Sequence, residues 1–203
     1  MTEKGFDVSS NNGKINWGMV GKTGYNFVFA RASYGQRSKD ARFKENVAGA
    51  LAQGLHVGAY HYSYASDAAS AEKEARHFLS VIESTRLDYP VVLDLEYNRI
   101  TGKATKRWTE IATTFLSALE DEGYFAMLYS SRSMLRMYFD YARIARYAIW
   151  VADWSGRNGF NHPSGVWQYS NTGKIAGIPT EVDLDASDFD YAAIIRRAGL
   201  NRG

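Results

Sequence analysis

The segment PVVLDLEY, residues 90 to 97, sets Asp94 and Glu96 two positions apart at the end of an apolar, β-branched run. On a strand, alternate side chains share a face, so Val92, Asp94 and Glu96 project one way and Val91, Leu93 and Leu95 the other. Two carboxyls held close raise each other's pKa, and loss of water raises both further. Such a pair suits glycoside hydrolysis, in which one carboxylic acid protonates the leaving oxygen while the other answers positive charge at the anomeric carbon. Positions two apart on a strand are separated by roughly 6.6 Å of backbone. Rotamers move the carboxyls by a comparable distance, so spacing leaves retention and inversion both open.

The elements that must position this pair follow from apolar periodicity. Strands are predicted over residues 5–9, 27–33, 56–63, 91–97, 125–130, 147–154, 166–170 and 180–185. Helices are predicted near 16–23, 41–53, 68–84, 106–121 and 133–145, the third capped by Ser66 or Asp67. Gly24, Gly54 and Gly123 each follow a helix and fit as C-terminal stops. Alternating strand and helix implies βαβ units and a parallel sheet. The segment from 155 to 185 breaks the rhythm, with no room for a helix between its strands. The expectation is an α/β fold: an irregular TIM-like (β/α) barrel of eight strands and about five helices, its last third joined by loops. An open doubly wound sheet is the alternative. Residues 1–203 read as a single catalytic barrel domain, with residues from about 196 to 203 a frayed tail or the stump of a linker.

In parallel α/β folds the strand-to-helix loops open at the C-terminal ends of the strands, and functional groups collect there. Those ends carry Asp7 and Ser9, Arg31 and Ser33, Tyr60 and Tyr62, Asp94 and Glu96, Tyr129, Asp153 and Trp154, Trp167 to Tyr169, and Asp183 with Asp185. Acids thus converge with aromatics, and Arg31 and Trp154 join the candidate substrate contacts. Other chemistries lack their equipment. The four histidines, His56, His61, His77 and His162, have no zinc spacing, and His61 reads better as a hydrogen-bonded core residue. Neither a phosphate-cradling glycine motif nor a GxSxG elbow occurs. EVDLD lacks the loop glycine and terminal glutamate of a calcium-binding EF-hand. No metal or other cofactor is expected.

Composition narrows the partner. With 24 basic and 22 acidic residues the net charge is +2, too small to imply nucleic acid. Aromatic residues make up 14%, and Tyr and Trp offer flat apolar faces with polar tips that suit sugar rings. The absence of cysteine removes disulfides and thiolate nucleophiles. No apolar run is long enough to cross a bilayer, and MTEKGFDVSS has no secretion-signal pattern, so action outside the cell would imply either release by another route or a signal already removed. A monomer without membrane insertion is expected.

The ordered motifs GFDVSSNNGKINW, FVFARASYG, HVGAYHYSYA, PVVLDLEYN, GYFAMLYSS, IWVADW, VWQYSNTGKIAGI and EVDLDASDF together resemble the glycoside hydrolase family 25 muramidases, lysozymes found among phage endolysins and bacterial autolysins. The likeness runs from Gly5 to Phe189. It implies an eight-stranded barrel that hydrolyses the β-1,4 bond between N-acetylmuramic acid and N-acetylglucosamine in the glycan strands of peptidoglycan, acting at the bacterial wall. It implies Glu96 as general acid and Asp94 beside it, stabilising the oxocarbenium-like state or orienting the substrate's N-acetyl group. Asp7 and Asp183 match the family's two further groove acids, and Tyr62, Tyr129, Trp167 and Gln168 match sugar contacts. Where many members have VDLN this chain has VDLD, so Asp185 adds an acid near the site. A chitinase-type hydrolase would need acids where Val92 and Tyr89 stand. A non-catalytic carbohydrate-binding barrel is the alternative from another class.

Overall fold

A computed structural model describes residues 2–96 and 105–201. The strands are β1 (Glu3–Val8), β2 (Phe27–Tyr34), β3 (Ser38–Lys39), β4 (His56–Tyr62), β5 (Val91–Asp94), β6 (Ala126–Ser131), β7 (Ala148–Ala152), β8 (Val166–Gly173) and β9 (Val182–Ser187). The helices are α1 (Trp17–Val20), α2 (Phe43–Ala52), α3 (Ala68–Ile82), α4 (Thr105–Asp121), α5 (Arg132–Tyr138), α6 (Tyr141–Ile144) and α7 (Tyr191–Ala198). The sheet runs β1-β9-β8-β7-β6-β5-β4-β2, and β1 pairs with β2 to close an eight-stranded barrel. The two-residue β3 only folds back antiparallel against the end of β2. None of the described helices is long and apolar enough to cross a membrane.

All eight expected strands form, but three expectations need correction. The sheet is not wholly parallel, because β9 runs antiparallel to both β8 and β1. The predicted helix over 133–145 is two, α5 and α6, broken where the Asp140 side chain accepts from the Ala142 amide and caps α6. The tail is not frayed from 196: α7 ends on left-handed Gly199, and Asn201 is buried. The Asn201 side chain accepts from the Phe125 amide at 2.8 Å and donates to the Tyr89 carbonyl at 2.8 Å, which ties the segment after α7 beneath the barrel. Gly24, Gly54 and Gly123 do adopt positive φ, and Asp67 is the cap of α3.

The two faces of each strand build two cores. Outward, Val28, Ala30, Val57, Ala59, Leu93 and Leu128 pack against the helices, where Ala71, Phe78, Ile111 and Phe115 answer them. Inward, Phe27, Phe29, Val92, Met127 and Trp150 fill the barrel. Phe29 stacks on Trp150 with ring centroids 4.4 Å apart, and Phe27 on Tyr89 at 4.6 Å. This plug needs a gap on β4: a Cβ at Gly58 would lie 2.5 Å from the Phe29 ring and 2.5 Å from the Pro90 carbonyl oxygen. Gly58→Ala is therefore expected to cost roughly 1–3 kcal/mol by overpacking, read as a lower midpoint in thermal unfolding.

His61 faces outward and is fully buried. A register shift in β2 after Arg31 sets Ser33 opposite it, and Ser33 Oγ lies 2.8 Å from His61 Nδ1. Glu74 of α3 approaches Nε2 at 3.2 Å and also accepts from Ser63 Oγ. His61 is thus a hydrogen-bonded residue of the core, on the strand face opposite the cavity-lining Tyr60 and Tyr62.

Candidate active site

The apolar plug stops partway up the barrel, and the mouth above it is polar. A cavity of about 270 Å³ opens there, and among its lining residues are Asp7, Arg31, Tyr60, Tyr62, Asp94, Glu96, Tyr129, Trp150, Gln168 and Asp183. Asp94 and Glu96 share this cavity, as strand alternation requires. The strand itself is shorter than expected: β5 ends at Asp94, and Tyr97 lies outside the described residues. The chain nonetheless keeps its course, because the Leu95 amide donates to the Tyr129 carbonyl at 3.1 Å and Ser130 Oγ donates to the Leu95 carbonyl at 2.7 Å. Leu95 is thereby buried outward, and Glu96 stays on the side of Asp94.

Asp7 reaches the cavity from the C-terminal end of β1, but Asp183 arrives differently. It stands near the start of antiparallel β9, directly opposite Asp7 in the register. Asn12 fastens this side of the mouth: its amide nitrogen donates to Thr180 Oγ1 at 3.1 Å and to the Glu181 carbonyl at 3.2 Å, while its oxygen accepts from the Ser9 amide. Arg31 is held by Asp40 at 2.9 Å and donates to Ser10 Oγ.

Gln168 connects the aromatics to the acids. Its oxygen accepts from Tyr129 Oη at 3.0 Å and from Trp154 Nε1 at 3.2 Å. With that oxygen occupied, its nitrogen is turned to donate to Asp7 Oδ2 at 2.8 Å. Trp154 is 54% exposed and is not among the residues that line the cavity, which it adjoins only through its bond to Gln168. Trp167 is not brought to the cavity. It neighbours inward-facing Gln168, so it points outward, and its indole donates to the Asp153 carbonyl at 2.8 Å. Asp153, another strand-end acid, holds a loop: it pairs with Arg132 at 2.9 Å and accepts from the Ser155 and Gly159 amides.

The electrostatics follow from burial. Asp94 is pushed well above the usual carboxylate range by desolvation, then by Glu96 and Asp7, against a smaller pull from Arg31. Asp7 rises well above it too, through desolvation and then Asp183, with the Gln168 bond opposing. Glu96 is raised by desolvation and then by Asp183, and Asp183 by desolvation. Carboxyls this close titrate as a set, and the set keeps protons into pH values where free carboxyls have lost them. Sequence reasoning passed over Trp150, Asp40, Asn11, Asn12 and Glu181. Trp150 was findable by parity, since it shares a strand face with Ala152 at the barrel's upper end. Asp40 lies in a loop that periodicity does not place, and Glu181, expected inside the strand over 180–185, just precedes β9.

A closed α/β barrel with four acids converging at its mouth has the form of a glycosidase site. The family model for glycosyl hydrolases family 25 matches residues 6–178. The chain is similar to the autolytic lysozyme of Clostridium acetobutylicum, at 27% identity over 183 residues that make up 90% of this chain and 55% of the relative. It is also similar to lysozyme M1 of Streptomyces globisporus, at 31% identity over 211 residues, covering 96% of this chain and 71% of that protein. The crystal structure of the bacterial lysozyme from Streptomyces coelicolor superposes with a TM-score of 0.83 at 28% identity, over 97% of this chain and 96% of that one. The chain belongs to glycosyl hydrolases family 25.

Proposed function

We propose that the chain is an N-acetylmuramidase, cleaving the β-1,4 bond between N-acetylmuramic acid and N-acetylglucosamine in peptidoglycan, with Glu96 as general acid. The observation that carries this reading is the convergence of Glu96, Asp94, Asp7 and Asp183 on one cavity, in a chain of this family. A general acid working near neutral pH needs a raised pKa and access to substrate. Glu96 has both, being raised by desolvation and Asp183 while only half-buried, whereas Asp94 and Asp7 are buried.

The reaction adds water across the glycosidic bond. Glu96 gives its proton to the leaving oxygen as the bond to the anomeric carbon lengthens. Asp94 meets the positive charge that develops there, directly or through the substrate's own N-acetyl group, and water then supplies the new hydroxyl, its other proton returning to the carboxylate left on Glu96. Arg31, Tyr62, Tyr129 and the exposed face of Trp154 serve as sugar contacts along the groove, and Gln168 steadies Asp7. The glycan strands of the bacterial wall are the partner, and the wall is where the protein acts.

Digestion of purified peptidoglycan, followed by mass spectrometry of the fragments, tests the reading. Products ending in reducing muramic acid are expected, whereas pull-down on the wall with no new reducing ends would identify a binding barrel. The pH profile offers a second check. Asp183 raises the pKa of Glu96, and activity falls as pH climbs through the pKa of a group that must be protonated. Asp183→Asn is therefore expected to move the alkaline limb of kcat/KM to lower pH.

A further inference from the structure

One acid of the barrel takes no part in the chemistry above. Asp185 lies on β9 below Asp183, beside Gly5 of β1 and Gln168 of β8, with no exposed surface. Its Oδ1 accepts from Trp150 Nε1 at 2.9 Å. Its Oδ2, also buried, has no hydrogen-bond partner among the described residues. The groups that face it are Asp7 from β1, Asp183 from its own strand, Tyr169 from β8 and the neutral indole of Trp150 from β7. Among the described residues, none of the groups that act on it is a cation. An ionised carboxylate enclosed with one neutral donor and two further acids would be an uncompensated buried charge, which folded proteins avoid by keeping the proton.

We propose that Asp185 is a positioning residue that works as a neutral carboxylic acid, holding the Trp150 indole as the floor of the cavity without adding a charge to the acids above. Trp150 depends on that acceptor. Its ring stacks on Phe29 and meets Tyr129 edge to face at 4.6 Å, so the bond to Asp185 sets the height at which the apolar plug ends and the polar cavity begins. Burial, with Asp7 acting in the same direction, keeps the proton on Asp185 well above the ordinary carboxylate range. The folded chain retains a proton that the unfolded chain loses, so stability falls as pH rises from the unfolded carboxylate pKa toward the folded one.

The positioning role of Asp185 rests on the cavity being a muramidase site, but its protonation does not. The test compares the parent chain with Asp185→Asn, which keeps an oxygen for Trp150 and cannot ionise, and with Asp185→Leu, which removes the acceptor. Thermal midpoints of the parent and Asp185→Asn are expected to converge at pH 4 and to separate by pH 7.5, with the Asn variant several degrees higher. The 13C shift of the Asp185 carboxyl, assigned by its loss in the Asn variant, is expected at the protonated position at pH 7. On peptidoglycan, Asp185→Asn is expected to keep kcat within about twofold with an unmoved pH optimum, and Asp185→Leu to lose about tenfold or more, in line with the loss of one buried hydrogen bond. A constant gap in midpoints across that pH range, an ionised carboxyl shift at pH 7, or a tenfold loss of kcat in a folded Asp185→Asn would overturn the proposal. If Asp185→Leu does not fold, the Asn comparison and the carboxyl shift still decide it. If neither parent nor Asn variant cuts peptidoglycan while the gap in midpoints widens with pH, the muramidase reading fails and the protonated Asp185 stands.

Discussion

Glu96→Gln is expected to lower kcat on peptidoglycan by about 10²- to 10⁴-fold, the range that general acid catalysis supplies, while the protein stays folded and still sediments with cell walls. The amide has nearly the shape of the acid but no proton to give, so the leaving oxygen must depart unassisted. Binding contacts from Arg31, Tyr62 and Tyr129 are untouched, and the loss should appear in kcat with KM little changed. Folding should not suffer either, because Glu96 is a desolvated carboxyl raised further by Asp183, and a neutral group relieves that opposition. Reducing-end release, thermal melts and wall pull-down on one preparation separate these outcomes. Undiminished release by the variant would remove Glu96 from the mechanism.

The second large effect is expected at Asp94. Asp94→Asn should cost about 10²- to 10³-fold in kcat, comparable to deleting one preorganised electrostatic group from an active site. The same substitution should raise thermal stability near neutral pH. Asp94 is buried, its Oδ1 has no hydrogen-bond partner among the described residues, and its pKa is lifted well above the carboxylate range. A group whose folded pKa is raised lowers stability as pH climbs above its unfolded value, and an amide is free of that penalty. The variant should therefore match the parent's melting midpoint at acid pH and exceed it at pH 7. A lower midpoint at pH 7 would mean that Asp94 is structural, and retained turnover would mean that Glu96 works without it. An active-site group that destabilises the fold it serves is the expected form of the trade between stability and function.

Most of the strands were legible as short apolar runs bounded by Gly, Pro, Asn or Asp, and strand parity assigned Asp94 and Glu96 to one face. Parity also implied that Trp167 and Gln168 face opposite ways, so only one of them could reach the cavity. The direction of β9 was in principle available too. Only residues 174–181 separate it from β8, and a parallel return needs a crossover of a dozen or more residues. The anchoring of Asn201 was not available, because a polar residue after a helix-ending glycine looks the same whether its amide meets water or the barrel floor.

The sequence by itself determined the eight strands, the shared face of Asp94 and Glu96, and the family to which these motifs belong. Only the tertiary structure decided which acids meet and which are dry. Closure of β9 against β1 sets Asp183 across from Asp7, and the depth of the aromatic plug leaves Glu96 half-open while it seals Asp185. The physical reason is that periodicity is a local property of the chain. Desolvation and charge repulsion, which give each carboxyl its proton affinity, act through space between segments far apart in sequence.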